Sequence, residues 1–267
     1  MPELPDVEVM KRYLDATALH QKIETVEVHN TEMLQDVSAE TLGSRLEGRT
    51  LDSTRRHGKW LFAATDEDPW LVLHFGMTGG LQYFKNLEKE PEYDRMLLCF
   101  ANGYHLAYVA QRMLGVVSII GDVGGFIEKQ GLGPDALDSA FDLAAFKTTL
   151  GDRRGMVKST LMNQEIVAGI GNVYADEMLF QAGIHPRTQF NQLDAEALER
   201  LYQEMKAVLQ TAIEHQAKPD QFPEGFVTPL RHADGQCPRC GAKLERVKVS
   251  GRSAYLCPNR QPKRAKS

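Results

Sequence analysis

The 267-residue sequence has no apolar run approaching the roughly 20 residues that a membrane-spanning helix needs. Its first residues, with Glu3, Asp6 and Glu8, lack the basic start and apolar stretch of a secretory leader, so a cytoplasmic protein is expected. Cysteine is scarce. Three of its four cysteines, Cys237, Cys240 and Cys257, gather near the end, which is not a disulfide framework. The fourth, Cys99, lies in the apolar run Met96 to Phe100 and is expected in the core. Positive charge is not in excess either: 31 Lys and Arg against 36 Asp and Glu give a formal net charge of -5. That balance argues against a polyanionic partner, because phosphate binding is driven by Lys and Arg releasing counterions. Three local clusters run the other way, Arg55-Arg56-His57-Gly58-Lys59, Arg153-Arg154 with Lys158, and Lys263-Arg264-Ala265-Lys266, though each can also be read as a solvated face. Internal repeats are absent.

What is present describes a soluble globular protein, 42% hydrophobic and 25% charged, long enough for one large or two ordinary domains. Val7, Met10, Leu14 and Ala18 recur at helical spacing and predict a helix from residue 3 to about 17. Short β-rich runs follow between Gly, Asp and Asn turns: Ile23 to Val28, Trp60 to Ala64, Trp70 to Phe75, Met96 to Phe100 and Val116 to Ile120. They predict an antiparallel sandwich or barrel-like domain. Gly121 to Gly125 and Gly131 to Pro134 read as a linker before the composition turns helical. Leu198, Leu201, Met205, Val208, Leu209 and Ile213 stripe a long helix after Asp194, and the proline-bearing stretch 216–231 reads as a loop. The expected organisation is α+β: an N-terminal sandwich domain (1–135), a helical domain (136–231), a small cysteine module (232–262) and a basic tail (263–267).

Several segments carry chemistry. Loss of Met1 would leave Pro2 with a free secondary amine beside the carboxylate of Glu3, a nucleophile and an acid side by side, or else Pro2 to Pro5 is only a stiff leader into the first helix. Ala168 to Glu177 sets glycines between two apolar helical stretches, and Asn172 either helps a helix N-terminus hold phosphate or simply caps that helix. His74 to Gly80 ends a strand in a glycine-rich turn that presents Met77 as a wedge or buries it beneath the turn. Cys237-Pro238-Arg239-Cys240, sixteen residues and then Cys257-Pro258-Asn259 have the spacing of a zinc ribbon, but Arg260 stands where a fourth thiolate belongs. His232 is the nearest alternative ligand. Three thiolates with water, or a module that folds without metal, remain open.

Taken in order, Pro2 to Glu8, Gly58-Lys59, His74 to Gly79, Gly169 to Glu177, Gly183-Ile184-His185-Pro186 and the cysteine module resemble the formamidopyrimidine-DNA glycosylase family over nearly the whole chain. The start is closer to the formamidopyrimidine branch than to the endonuclease VIII branch. The resemblance implies a β-sandwich domain with a leading helix, a helix-two-turns-helix domain and a zinc finger, with DNA bound in the cleft between them. It implies a monomeric, nucleoid-associated repair enzyme that takes damaged or abasic double-stranded DNA. Pro2 would attack C1′ and expel the base, Glu3 would shuttle protons, and Lys59 and Arg252 would grip phosphates while the strand is cut. DNA contacts are implied for His74, Met77, Arg112, Leu114, Arg153, Lys158 and Asn172, and zinc for Cys237, Cys240 and Cys257. A diverged member that binds damaged or abasic DNA with little turnover is the alternative.

The departures from the family pattern are specific. Ala110 to Gly115 has lost one arginine and carries Leu114 where an aromatic wedge is usual, which weakens stacking on an orphaned base. Tyr93 stands for a DNA-contacting histidine, Asp6 shortens a glutamate, and Lys218 to Pro229 does not match the loop that closes over an oxidised purine. The preferred lesion does not follow from the resemblance.

Overall fold

The computed structural model describes residues 1–263, so most of the expected basic tail, 264–267, lies outside the described residues. Two compact units form, one of Met1–Pro2 with Asp6–Gln130, the other of Glu3–Pro5 with everything from Gly131.

In the first unit, α1 (Leu4–Thr17) leads into β1 (Ile23–Val28), α2 (Ala39–Leu46), β2 (Leu51–His57), β3 (Trp60–Thr65), β4 (Trp70–His74), β5 (Gly80–Phe84), β6 (Asp94–Phe100), β7 (His105–Val109), β8 (Val116–Ile120) and α3 (Val123–Lys129). Two four-stranded antiparallel sheets result, ordered β1-β6-β7-β5 and β2-β3-β4-β8, and neither closes on itself. Alternate residues explain their pairing. Ile23, Met96, Leu98 and Tyr108 of one sheet share a core with Leu61, Ala63, Leu71 and Leu73 of the other, and Val7 and Leu14 of α1 join it with Ala18 just beyond the helix.

The segment Gly121 to Gly125, expected as a linker, is instead the start of α3. Asp122 caps it by accepting from the Gly125 N–H, and Val123 and Phe126 cover Phe62 and Val72 on the outer face of the second sheet. The sequence pattern also left out β2, β5 and β7. β2 and β5 are edge strands, and β2 buries only Leu51; β7 is interior but only five residues long. Cys99 is half-buried rather than in the core, and its thiol lies 3.9 Å from Glu27 Oε1.

The second unit holds α4 (Leu143–Leu150), α5 (Val157–Leu161), α6 (Asn172–Ala182), α7 (Ala195–Glu214) and the hairpin β9 (Glu245–Val249) and β10 (Arg252–Leu256). Every residue of the expected α7 stripe is buried, and Asp194 caps that helix at the Ala197 N–H, 2.8 Å away. Such a cap is worth about 1 kcal/mol. The conspicuous Gly183-Ile184-His185-Pro186 ends α6: Gly183 takes a left-handed φ of 67°, its N–H reaches Phe180 O at 3.2 Å, and the Ile184 N–H reaches Leu179 O at 2.9 Å. A side chain at position 183 would strain that turn, and the proline stops any continuation. Stretch 216–231 is irregular apart from two short 3₁₀ turns, Pro219–Gln221 and Thr228–Leu230. The β9–β10 connection is Ser250-Gly251, both at positive φ (47° and 79°), which makes a tight two-residue hairpin with Arg252 just beyond it.

Candidate active site

Glu3 is 2% exposed, and its carboxylate sits on the first turn of α6. Oε2 accepts from the N–H groups of Gly171 (3.0 Å) and Tyr174 (3.2 Å), and Oε1 from that of Val173 (2.8 Å). These are the unsatisfied donors that begin every helix, and the positive end of the helix dipole favours the negative charge placed there. The glycines of the Gly169-Ile170-Gly171 motif are explained by the same contact. A Cβ on Gly171 would lie 2.3 Å from the Glu3 carboxyl carbon, and one on Gly169, whose φ is 110°, would lie 2.5 Å from Leu4 Cδ1. The Leu4 N–H also donates to Gly169 O at 3.0 Å. Three backbone N–H groups of this helix start, those of Gly171, Val173 and Tyr174, are thus taken by a carboxylate of the chain itself. Asn172 is the first residue of α6, Gly171 holds the cap position, and the Asn172 Oδ1 is buried without a hydrogen-bond partner.

Pro2, immediately before Glu3, is half-buried, and Met1 is 46% exposed. Lys59 follows Gly58, which turns the β2–β3 hairpin at a φ of 56°, and only 7% of it is exposed. His74 ends β4, packs its ring 4.7 Å from Trp60, and accepts at Nδ1 from the Gly76 N–H at 3.3 Å. Burial, and then the nearby Lys59 ammonium, lower the His74 pKa to about 4. A neutral ring is what that acceptor role requires.

Met77 and Leu114 are 39% and 56% exposed, on two turns locked together within the first unit. Gly76, at a φ of 56°, lies so close to Leu114 that a Cβ would come within 2.4 Å of its carbonyl carbon. The Arg112 N–H points at Thr78 Oγ1, 3.4 Å away, and Tyr108, whose hydroxyl donates to His74 O at 2.8 Å, backs Gly115. Two apolar side chains are thus held out into solvent by a rigid base, with the exposed Arg112 between them in sequence. Exposing such side chains costs hydrophobic free energy unless something covers them.

Lys158, expected to reach phosphate, does not face solvent. It is fully buried, and Nζ donates to Asp176 Oδ1 at 2.6 Å and to Ser253 O at 2.7 Å. Burial lowers its pKa, opposed chiefly by Asp176. The same aspartate accepts from Arg231 Nη2 (2.7 Å) and Nε (3.0 Å) and from the Tyr255 N–H (3.1 Å), so one carboxylate on α6 ties α5, the stretch before the cysteine module and β10. Glu177 beside it is also buried and accepts from Thr228 N–H, Thr228 Oγ1 and Gln181 Nε2 at 2.6–2.7 Å. Sequence reasoning quoted Asp176 and Glu177 without assigning them and passed over Arg231. Two adjacent carboxylates inside an otherwise apolar helix were the available signal, since a buried charge needs partners. Arg153 is exposed, and its Nε donates to Thr149 O at the end of α4, 2.8 Å away. Arg252 is exposed at the start of β10.

The sulfurs of Cys237, Cys240 and Cys257 all lie within 4.8 Å of one another, a cluster that could bind zinc, and His232 is not among them. Arg260 has turned away: its guanidinium lies over the Phe180 ring, 5.8 Å from the centroid. The next residue, Gln261, is buried and bridges the Cys257 N–H and Ile184 O, each at 2.9 Å. The Ala242 N–H lowers the Cys240 thiol, and burial pushes the Cys257 thiol up to about 11. Three sulfur donors fit a zinc ion whose fourth position is left to a ligand other than residue 260.

A β-sandwich unit, a helical unit whose helix start seats the Glu3 carboxylate, and a cysteine hairpin are the parts of a DNA glycosylase of the bifunctional class. Family models agree: the formamidopyrimidine-DNA glycosylase N-terminal domain matches residues 1–117, its H2TH domain 132–222, and the zinc finger found in FPG and IleRS 236–259. The formamidopyrimidine-DNA glycosylases of Moorella thermoacetica and Pelobacter propionicus are 35% and 34% identical over 97% and 98% of this chain, covering 91% and 100% of their own lengths. A crystal structure of the Lactococcus lactis enzyme with N7-benzyl-Fapy-dG DNA superposes with a TM-score of 0.90 at 30% identity, over 98% of this chain and all of that one. The same enzyme bound to AP-site DNA gives a TM-score of 0.89 at 30% identity over the same shares of the two chains. The chain belongs to the formamidopyrimidine-DNA glycosylase family.

Proposed function

We propose that the protein excises oxidised or ring-opened bases from duplex DNA through Pro2 and then cuts the strand, acting on chromosomal DNA in the cytoplasm. The observation that carries this reading is the seat of Glu3: three backbone N–H groups fix its carboxylate one residue from the amine that loss of Met1 would free. The Pro2 nitrogen lone pair attacks C1′ and the glycosidic bond breaks, its electrons leaving with the base, which takes up a proton. Glu3 moves protons as the sugar ring opens and the iminium forms. The iminium acidifies the neighbouring sugar protons, and β- and δ-elimination then expel the flanking phosphates. Lys59 and Arg252 supply positive charge to those phosphates, and Arg112 and Arg153 add contacts that position the duplex. Met77 and Leu114 fill the gap left by the extruded nucleotide. His74 supports that turn through the Gly76 N–H, and Asn172 lies at the helix end that seats Glu3. Cys237, Cys240 and Cys257 would hold zinc, which would knit together the turns of the hairpin that presents Arg252. Among the described residues no helix is long and apolar enough to cross a membrane, in keeping with a DNA substrate.

The test is covalent trapping. Protein shown by mass to lack Met1 is incubated with duplex DNA carrying an abasic site or 8-oxoguanine, and borohydride is added. A reduced adduct is expected, and protein that retains Met1, whose Pro2 nitrogen is an amide, should lose it while still binding the DNA. Binding without any adduct from the trimmed wild-type protein overturns the catalytic reading in favour of a damage-binding protein.

A further inference from the structure

His29, Glu90 and Asp94 form a second cluster of metal-ligating side chains, wholly within the first unit. The backbone builds it. His29 follows β1, which pairs with β6 through Val28 and Met96, and the His29 N–H donates to Arg95 O at 3.0 Å, so the imidazole is set beside Asp94, the first residue of β6. Glu90 reaches the same point across the turn at residues 91–93. His29 Nδ1 lies 3.6 Å from Asp94 Oδ2 and 3.8 Å from Glu90 Oε1, and one ligand atom from each of the three falls within 4.8 Å of the others.

A second, independent observation points to a ligand. The Asp94 side chain is 2% exposed, and neither carboxylate oxygen has a hydrogen-bond partner. Burying a carboxylate without donors is costly: burial raises the Asp94 pKa to about 7, against the pull of His29, and the cost is relieved either by a proton or by a coordinated cation. On its other side, His29 Nε2 faces Glu27 Oε2 at 3.5 Å, the outer carboxylate that commonly fixes the tautomer and orientation of a metal-bound imidazole. Atoms about 2.1 Å from a common ion stand roughly 3.0–3.5 Å apart, so side-chain shifts of up to about an ångström would close the cluster.

We propose that His29, Glu90 and Asp94 bind a divalent first-row cation, distinct from any ion at the cysteines. One imidazole with two carboxylates suits Mn²⁺ or Zn²⁺, and the absence of sulfur separates it from the thiolate cluster. The site is placed to stiffen the wedge. The neighbours of Asp94 hold the loop that carries Arg112 and Leu114: Tyr93 O accepts from the Ala110 N–H at 3.0 Å, and Arg95 Nε donates to Ala110 O at 3.0 Å. A cation that orders residues 90–95 would therefore hold the root of that loop.

Mn²⁺ discriminates, because thiolates compete poorly for it. Titration of the full chain with Mn²⁺, followed by electron paramagnetic resonance, should show one saturable site that is retained in Cys237→Ser/Cys240→Ser. Asp94→Asn and, should that variant fold poorly, the more exposed His29→Gln should each weaken binding at least tenfold, while both leave the borohydride adduct in place. Absence of a saturable site, as expected if His29 merely pairs with Asp94 when protonated, overturns the proposal. So does binding that survives both substitutions, or that disappears only with the cysteines.

Discussion

At the scale of single residues, the candidate site is governed by which polar groups have lost water. His74 is the clearest case. Its folded pKa of about 4 lies below the ordinary value of 6.5, so the unfolded chain takes up a proton between those limits and the folded chain does not. The stability contributed by the neutral ring is fully present above pH 6.5 and is lost as pH falls towards 4. Denaturant melts across that window should show falling stability, and His74→Asn, which keeps an acceptor for the Gly76 N–H but cannot titrate, should flatten the slope by close to one proton. Such a residue is named by its motif but not explained by it. The Gly76-Met77-Thr78-Gly79 string left Met77 either exposed or buried beneath the turn, and the acceptor that braces the turn depends on a ring position that only the folded strand defines.

At the scale of elements, α6 does two jobs that the sequence showed unequally. Its leading glycines, Gly169 and Gly171, were legible as a turn between helices, because left-handed turns and close approaches leave glycine in predictable places. Its buried carboxylates were not, because their partners come from residues 158, 231, 253 and 255, far along the chain. The basic residues divide accordingly. Removing one partner of a buried pair costs about 3–5 kcal/mol, and Lys158→Met should lower the unfolding free energy by up to that amount, since Arg231 remains on Asp176. Because its ammonium is already engaged, the same variant should leave the salt dependence of DNA binding unchanged. Arg252→Ala should have the opposite profile, with stability within about 0.5 kcal/mol of wild type and a slope of log affinity against log salt reduced by about 0.9. The contrast between β3 and β2 follows the same logic. A strand buried on both faces reads as an apolar run, whereas an edge strand with one buried residue reads as a charged loop.

At the scale of the whole molecule, the order of motifs along 267 residues carried more information than the net charge of -5, which pointed away from DNA. Charge composition reports an average field; the family pattern reports where individual cations stand, and those at 112, 153 and 252 are exposed. The cysteine module departs from the zinc-ribbon pattern at Arg260. Arg260→Cys should restore a four-sulfur set and raise zinc affinity by roughly tenfold or more, measured by competition with a chromogenic chelator, at the expense of the Phe180 contact. The seat of Glu3 also fixes an order of events during synthesis. Glu3 and Gly171 are separated by 168 positions, an interval of roughly 8–34 s of translation at about 5–20 residues per second. Throughout that time the amino end has nothing to dock on. An aminopeptidase acting on the ribosome would therefore meet a loose terminus, and on the proposed mechanism the Pro2 amine would be unmasked well before the helix that immobilises its neighbour has been made.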